Sequence, residues 1–266
     1  MLCTIVAHPD RASWVQSSQF FWPARRVELW HCIFDFLPRL SSLYDLKLVA
    51  APDYRYDKHK HRHQPRTDGE CSLSQFIPRL VNLPLRSLDV EDIKLDIEEI
   101  TDLYAFAHLK YLRITKFHFM VSHNMELSVD KEYPPSGLTS LEFWRAPFPM
   151  GRYAKYLLKN HPFLKSLGWV IGIGSDTTPW SSQHICEAMG PLKTTLTELH
   201  LSIIDSQYFN TWAQMNFVGF TSLRILTTHE KMIFASDESG DVSDRMDLAA
   251  RLPSSLEDFT VSGTHH

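Results

Sequence analysis

The sequence predicts an α/β chain of stacked repeats, with parallel strands in one layer and helices in the other. Three observations predict it. A leucine phrase recurs eight times, the tail of the phrase alternates apolar and polar residues, and helix-like segments separate the copies. The last two are the period-2 and period-3.6 signatures of strand and helix.

The phrase is Leu-x-x-Leu-x-Leu with apolar substitutions. Its copies open at Leu43, Leu85, Leu109, Leu138, Leu164, Leu196, Leu223 and Leu256. The first leucines lie 42, 24, 29, 26, 32, 27 and 33 residues apart. A weaker copy, Val15 to Phe20, precedes Leu43 by 28 residues. The chain holds 32 leucines in 266 residues, so one match would carry no weight; eight at a regular spacing do. In each copy the Leu-x-Leu tail reads as a short strand with leucines inward and x residues outward. The first leucine closes the turn that leads into the strand. A single unit cannot bury its own apolar face, so units must stack. This is the physics of a leucine-rich-repeat solenoid, with parallel strands on the concave face and helices on the convex face.

Taken in order, the segments between copies fit that plan. Between Leu48 and Leu73 lies Pro52 to Arg66, which has no aliphatic residue. It reads as a basic, His-rich loop inserted at about 52–68, and it accounts for the 42-residue gap. Asp96 followed by Glu99 resembles a capping box, and Ile97, Ile100, Tyr104 and Ala107 then share one helical face. Arg152 to Lys159 places Tyr153, Tyr156 and Leu157 together before Pro162. Arg245 to Leu252 does the same with Met246, Ala249 and Leu252 before Pro253. Strands alternating with helices imply right-handed βα units. No linker divides the chain, so residues 1–266 read as one irregular repeat domain.

Composition narrows the class. With 27 Lys+Arg against 31 Asp+Glu, the formal charge of −4 gives no general attraction for nucleic acid. The sequence shows no run of 18 apolar residues and no signal-peptide pattern at its start, so no membrane association is expected. Cys3, Cys32, Cys71 and Cys186 form no paired spacing, and no Asn-x-Ser/Thr sequon occurs. Reduced cysteines in the cytoplasm or nucleus are the simplest reading.

Two further phrases narrow the family. Leu2 to Gln16, with its His8-Pro9-Asp10, resembles the segment that follows the F-box in many fungal F-box proteins. Leu252-Pro-Ser-Ser-Leu256-Glu-Asp-Phe259 and Pro135-Ser-Gly-Leu138-Thr-Ser-Leu141 resemble the repeat junctions of those proteins. The resemblance to fungal F-box/leucine-rich-repeat proteins implies the substrate-recognition half of a ubiquitin-ligase adaptor. The F-box itself, which would open with something like Leu-Pro-x-Glu-Ile, is absent from this sequence. The implied partners are one or more target proteins, with ubiquitin-ligase subunits joining if an F-box lies upstream. The rival readings are a stand-alone repeat scaffold and an enzyme with an unrecognised site.

Sharper chemistries each meet a blander reading. His59, His61 and His63 alternate with Lys58, Lys60 and Arg62, whose charges repel a metal cation, so a solvated loop is favoured over a metal site or nuclear-import tag. Gly172-Ile-Gly174-Ser-Asp176 lacks the third glycine of a phosphate loop. Cys186 and His184 are two residues apart, which on a helix points them in different directions. The acidic group Asp89, Glu91, Asp92, Asp96, Glu98, Glu99 and Asp102 reads as a solvated helix start. A second group, Asp237, Glu238, Asp241, Asp244 and Asp247, reads as a surface loop. No catalytic residue, cofactor or metal ligand emerges.

The outward x positions remain. They form a ladder across the strands, and solenoids bind partners on that side. The candidate protein-binding residues are Asp45, Lys47, Tyr111, Arg113, Glu142, Trp144, His200 and His229. Tyr111, Arg113 and Trp144 are of the types enriched at interface hot spots. The alternative for Trp144 is that it folds over a neighbour and covers sheet surface.

Overall fold

The structure is a computed structural model. It describes residues 9–23, 27–51, 73, 76–91, 93, 95, 97–115, 134–146, 151–171, 182–204, 215–234 and 248–263. Among the described residues, nine strands form one all-parallel sheet: β1 (Ser17–Pro23), β2 (Asp45–Ala51), β3 (Ser87–Glu91), β4 (Tyr111–Thr115), β5 (Ser140–Ala146), β6 (Ser166–Ile171), β7 (Glu198–Ile203), β8 (Ile225–His229) and β9 (Asp258–Ser262). They lie side by side in chain order, so each strand pairs with the units before and after it. The weaker copy at Val15 supplies β1, and the eight stronger ones supply β2 to β9.

Register follows the phrase. One inward row runs Ser18, Leu46, Leu88, Leu112, Leu141, Leu167, Leu199, Leu226, Phe259. The next runs Phe20, Leu48, Val90, Ile114, Phe143, Trp169, Leu201, Thr228, Val261. From β2 to β8 both rows are buried. A slip of one residue would turn every one of these side chains to the other face, so burial fixes the register. The polar exception, Thr228, donates its hydroxyl to Met232 Sδ at 3.6 Å.

A second repeated device joins the units. The carbonyl just before each strand accepts two N–H groups from the next unit. Gln16 O receives Tyr44 and Asp45, Tyr44 O receives Arg86 and Ser87, and so on to Arg224 O with Glu257 and Asp258. All sixteen bonds lie between 2.8 and 3.1 Å. In five of the eight copies the leading leucine closes its turn as predicted. The N–H groups of Leu43, Leu109, Leu164, Leu223 and Leu256 each donate to the carbonyl three residues earlier.

Helices occupy several of the connections: α1 (Val27–Phe36), α2 (Ile77–Leu80), α3 (Ile97–Tyr104), α4 (Gly151–Leu158), α5 (Ser182–Ala188), α6 (Glu230–Ile233) and α7 (Leu248–Arg251). In α3 the predicted face is right for Ile97, Ile100 and Tyr104 but wrong for Ala107, which lies past the helix end and is exposed. In α4 Tyr156 and Leu157 are buried. The last helix is one turn long with no buried residue, and Ala249 faces out. The first acidic group is a solvated face only in part: Glu98 is exposed, and Asp92 and Asp96 lie outside the described residues. Asp89 and Glu91 engage Lys47, and Glu99 is only 2% exposed. The inserted loop at 52–68, the Gly172–Asp176 segment and the second acidic group lie outside the described residues.

A buried brace ties connections together behind the sheet. His161 Nδ1 accepts from the Ser136 hydroxyl at 2.6 Å, and its Nε2–H donates to Leu157 O at 2.8 Å. Its ring meets Tyr104 edge-on at 4.5 Å. Burial holds His161 far below the usual histidine range, at about 4, against a smaller opposing effect of the Leu157 carbonyl.

Candidate functional site

The outward side chains of the sheet stand in three rows. The middle one runs Gln19, Lys47, Asp89, Arg113, Glu142, Gly168, His200, Thr227, Thr260. Adjacent parallel strands are about 4.8 Å apart, so successive members of a row touch. From β2 to β5 their charges alternate in sign.

Lys47 Nζ lies 3.3 Å from Asp89 and 3.0 Å from Glu91. Its hydrogen bond to Glu91 leads the effects that raise its pKa above the ordinary lysine value, with burial opposing and Asp89 adding. One strand pair further on, Arg113 Nε donates to Glu142 Oε2 at 2.8 Å. The same oxygen accepts the indole N–H of Trp144 at 2.7 Å. The Arg113 guanidinium also lies over two rings, 5.5 Å from the centroid of Tyr111 and 5.7 Å from that of Trp144. Cation–π geometry and a charge-assisted hydrogen bond thus hold one arginine between β4 and β5. Burial, then the Glu142 charge, pushes the Tyr111 phenol well above its ordinary value, so it stays a neutral donor.

Gly168 fills the middle-row position between Glu142 and His200. A Cβ there would lie 3.1 Å from Glu142 Cγ. With no side chain at this point, Trp144 and His200 approach across β6 to 6.2 Å with their rings 13° from parallel. Burial lowers the His200 pKa, and Glu142 opposes that. Immediately after Trp144 the pairing with β6 shifts register, and Arg145 takes φ 53. A bulge of this kind re-aims the neighbouring side chain. Trp144 keeps 39% of its surface exposed while standing beside Val170, which faces outward yet is buried. It both covers sheet and offers a ring to solvent.

The predicted residues therefore divide into groups. Tyr111, Arg113, Glu142, Trp144 and His200 come together in one cluster. Lys47 forms a second with Asp89 and Glu91, and Asp45 stands exposed one row away from it. His229 is a correction: at 1% exposed it is not part of the outward surface. His229 is the last residue of β8, and α6 follows at once at Glu230. Sequence reasoning overlooked Gly168, whose signal was a glycine at an x position of the phrase, and left Asp89 and Glu91 out of the site.

Elsewhere, Cys186 shows no sign of activation. Burial raises its thiol pKa, and Sγ lies 4.0 Å from Asn216 O. Among the described residues, no group of three His, Cys, Asp or Glu is placed to hold a metal ion, and no helix is long and apolar enough to cross a membrane. No known protein family matches the chain, nor does any curated protein.

Proposed function

We propose that this chain is a leucine-rich-repeat solenoid whose sheet lines the concave side, and that it binds a target protein there without catalysing a reaction. The strands in chain order, the in-register leucine rows and the repeated carbonyl bonds between units support the solenoid. The observation that carries the binding role is the cluster of Tyr111, Arg113, Glu142, Trp144 and His200. Aromatic and arginine side chains held rigidly by neighbours lose little conformational entropy on binding, which is what hot spots require. In the fuller reading the chain serves, in cytoplasm or nucleus, as the target-holding part of an F-box ubiquitin-ligase adaptor. That part rests on the short phrases quoted above. Copurification with ligase subunits separates it from a stand-alone scaffold.

Trp144→Ala tests the binding role. Proteins retained from lysate on the immobilised chain should fall about tenfold or more, the loss of one hot spot. The thermal midpoint should stay nearly unchanged, because the ring is partly exposed already. Full retention by the variant would remove the cluster from the site.

A further inference from the structure

Charge is divided across the sheet. In the three outward rows acids outnumber bases: Asp45, Asp89, Glu91, Glu142, Glu198 and Asp258 stand against Lys47 and Arg113. The side on which the strands begin is the reverse. Four of the residues that directly precede a strand are basic, Arg86, Lys110, Lys165 and Arg224, and one is acidic, Glu257. All four bases are exposed. Their carbonyls carry the bonds between units, which fixes their order and spacing along this side. Arg224 pairs with Glu257. Among the described residues the other three have no carboxylate partner. Arg86 lies over the Tyr44 ring, 5.1 Å from its centroid, and Lys110 Nζ donates to Gly137 O at 3.1 Å, contacts that leave both charges uncompensated. Two of these units also expose an apolar side chain in the turn before the base. Val81, 39% exposed, precedes Arg86, and Phe163, 61% exposed, precedes Lys165. The connections 76–86, 104–110 and 159–165 lie wholly within the described residues.

We propose that this side of the sheet docks an acidic segment of a partner protein, lying extended across the units from β3 to β6. Neighbouring units are about 4.8 Å apart, so the backbones at Lys110 and Lys165, two units from each other, are separated by about 10 Å. That is the rise of about three residues in an extended chain. Carboxylates spaced by three residues therefore reach both bases, and an apolar residue next to the second carboxylate meets Phe163. Arg86 extends the series by one unit. A long polyanion such as nucleic acid fits less well, because the acidic rows border the bases and the whole chain carries a charge of −4. The surface is separate from the Trp144 cluster, and the proposal is independent of the reading of the outward face as a target site.

Fluorescence anisotropy of two labelled peptides against the full chain, at about 50 mM salt, tests this. One peptide is oligoglutamate of about ten residues, and the other carries two leucines at its centre. Both should bind, the leucine peptide more tightly, and added salt should release them. Lys110→Glu and Lys165→Glu should each weaken binding about tenfold with an unchanged thermal midpoint, since both side chains are exposed. Phe163→Ser should abolish the advantage of the leucine peptide. Arg145 is also exposed but stands near the far end of β5, about 20 Å from the strand starts. Arg145→Glu changes the net charge equally and should bind both peptides like the wild type. A wild-type chain that leaves both peptides free, or a Lys165→Glu variant that binds them normally, would overturn the proposal. Equal weakening by Arg145→Glu would do the same, because net charge alone would then govern binding. So would a thymidine oligonucleotide of the same length that binds more tightly than either peptide.

Discussion

The two faces of one sheet follow different rules. Along the inward rows, successive strands carry nearly interchangeable residues, and leucine recurs at the first row in seven adjacent strands. Along the outward middle row, almost every position differs, and charge, glycine, imidazole and hydroxyl succeed one another. Repetition serves packing, where each layer must match the next. Variation serves recognition, where each position can contact something different. Within the outward face the same contrast recurs: β2 to β5 are cross-linked by ion pairs, whereas β8 and β9 offer threonines.

If that division holds, the largest effect belongs to the inward row. Leu199→Asp places a charge among fully buried leucines. Its neighbours in the row are apolar and cannot compensate the charge, and the cost should exceed about 4 kcal/mol. Chemical denaturation should find the variant unfolded or nearly so. A Leu199→Asp chain with a wild-type midpoint would mean that the stack is not the source of stability.

The next effect is a pH dependence set by His161. Its pKa in the folded chain is about 4, against 6.5 for an ordinary histidine. Between those values the unfolded chain binds the proton more readily. Stability from this group is therefore full above pH 6.5 and is lost as pH falls to about 4. The whole loss is about 3 kcal/mol. Denaturation curves at pH 7 and pH 4 for wild type and His161→Gln check it: the variant should lose less stability between the two. Equal losses would show that His161 does not govern the response.

This brace also marks where sequence reading stops. The strands, their order and their register were legible because each rests on one repeated local pattern, and burial enforces it. The Arg113–Glu142–Trp144 cluster was legible as three x positions on adjacent strands, though not as a shared oxygen. The Ser136–His161 hydrogen bond joins two connections at unequal distances from their leucines, so no period betrays it. His229 was misplaced for the opposite reason: it is the last residue of β8, and strand alternation takes no account of a helix that follows at once. Gly168 was overlooked because an absent side chain has no chemistry of its own until its neighbours are known.

Gly168→Ala probes that absence with a smaller effect. The new methyl would press on Glu142, which Arg113 and Trp144 already hold in place. A stability loss of about 1 kcal/mol is expected. The indole N–H resonance of Trp144 should shift as its hydrogen bond to Glu142 is disturbed. An unmoved resonance would show that the row tolerates a side chain here and that the gap has no positioning role.

The smallest effect sharpens the comparison most. Arg224 and Glu257 form an ion pair across neighbouring units much like that of Arg113 and Glu142, with Arg224 Nε donating to Oε1 at 2.8 Å. Geometry alone would rank the two pairs together. Their surroundings do not: Arg224 and Glu257 are each more than half exposed, whereas Arg113 also lies over two rings and Glu142 is largely covered. Water and salt screen the first pair and leave little net interaction. Arg224→Ala should leave both the thermal midpoint and target retention unchanged, while Arg113→Ala should reduce retention. Equal losses from the two substitutions would mean that charge spread along the whole face governs binding, and that the aromatic cluster has no special part in it.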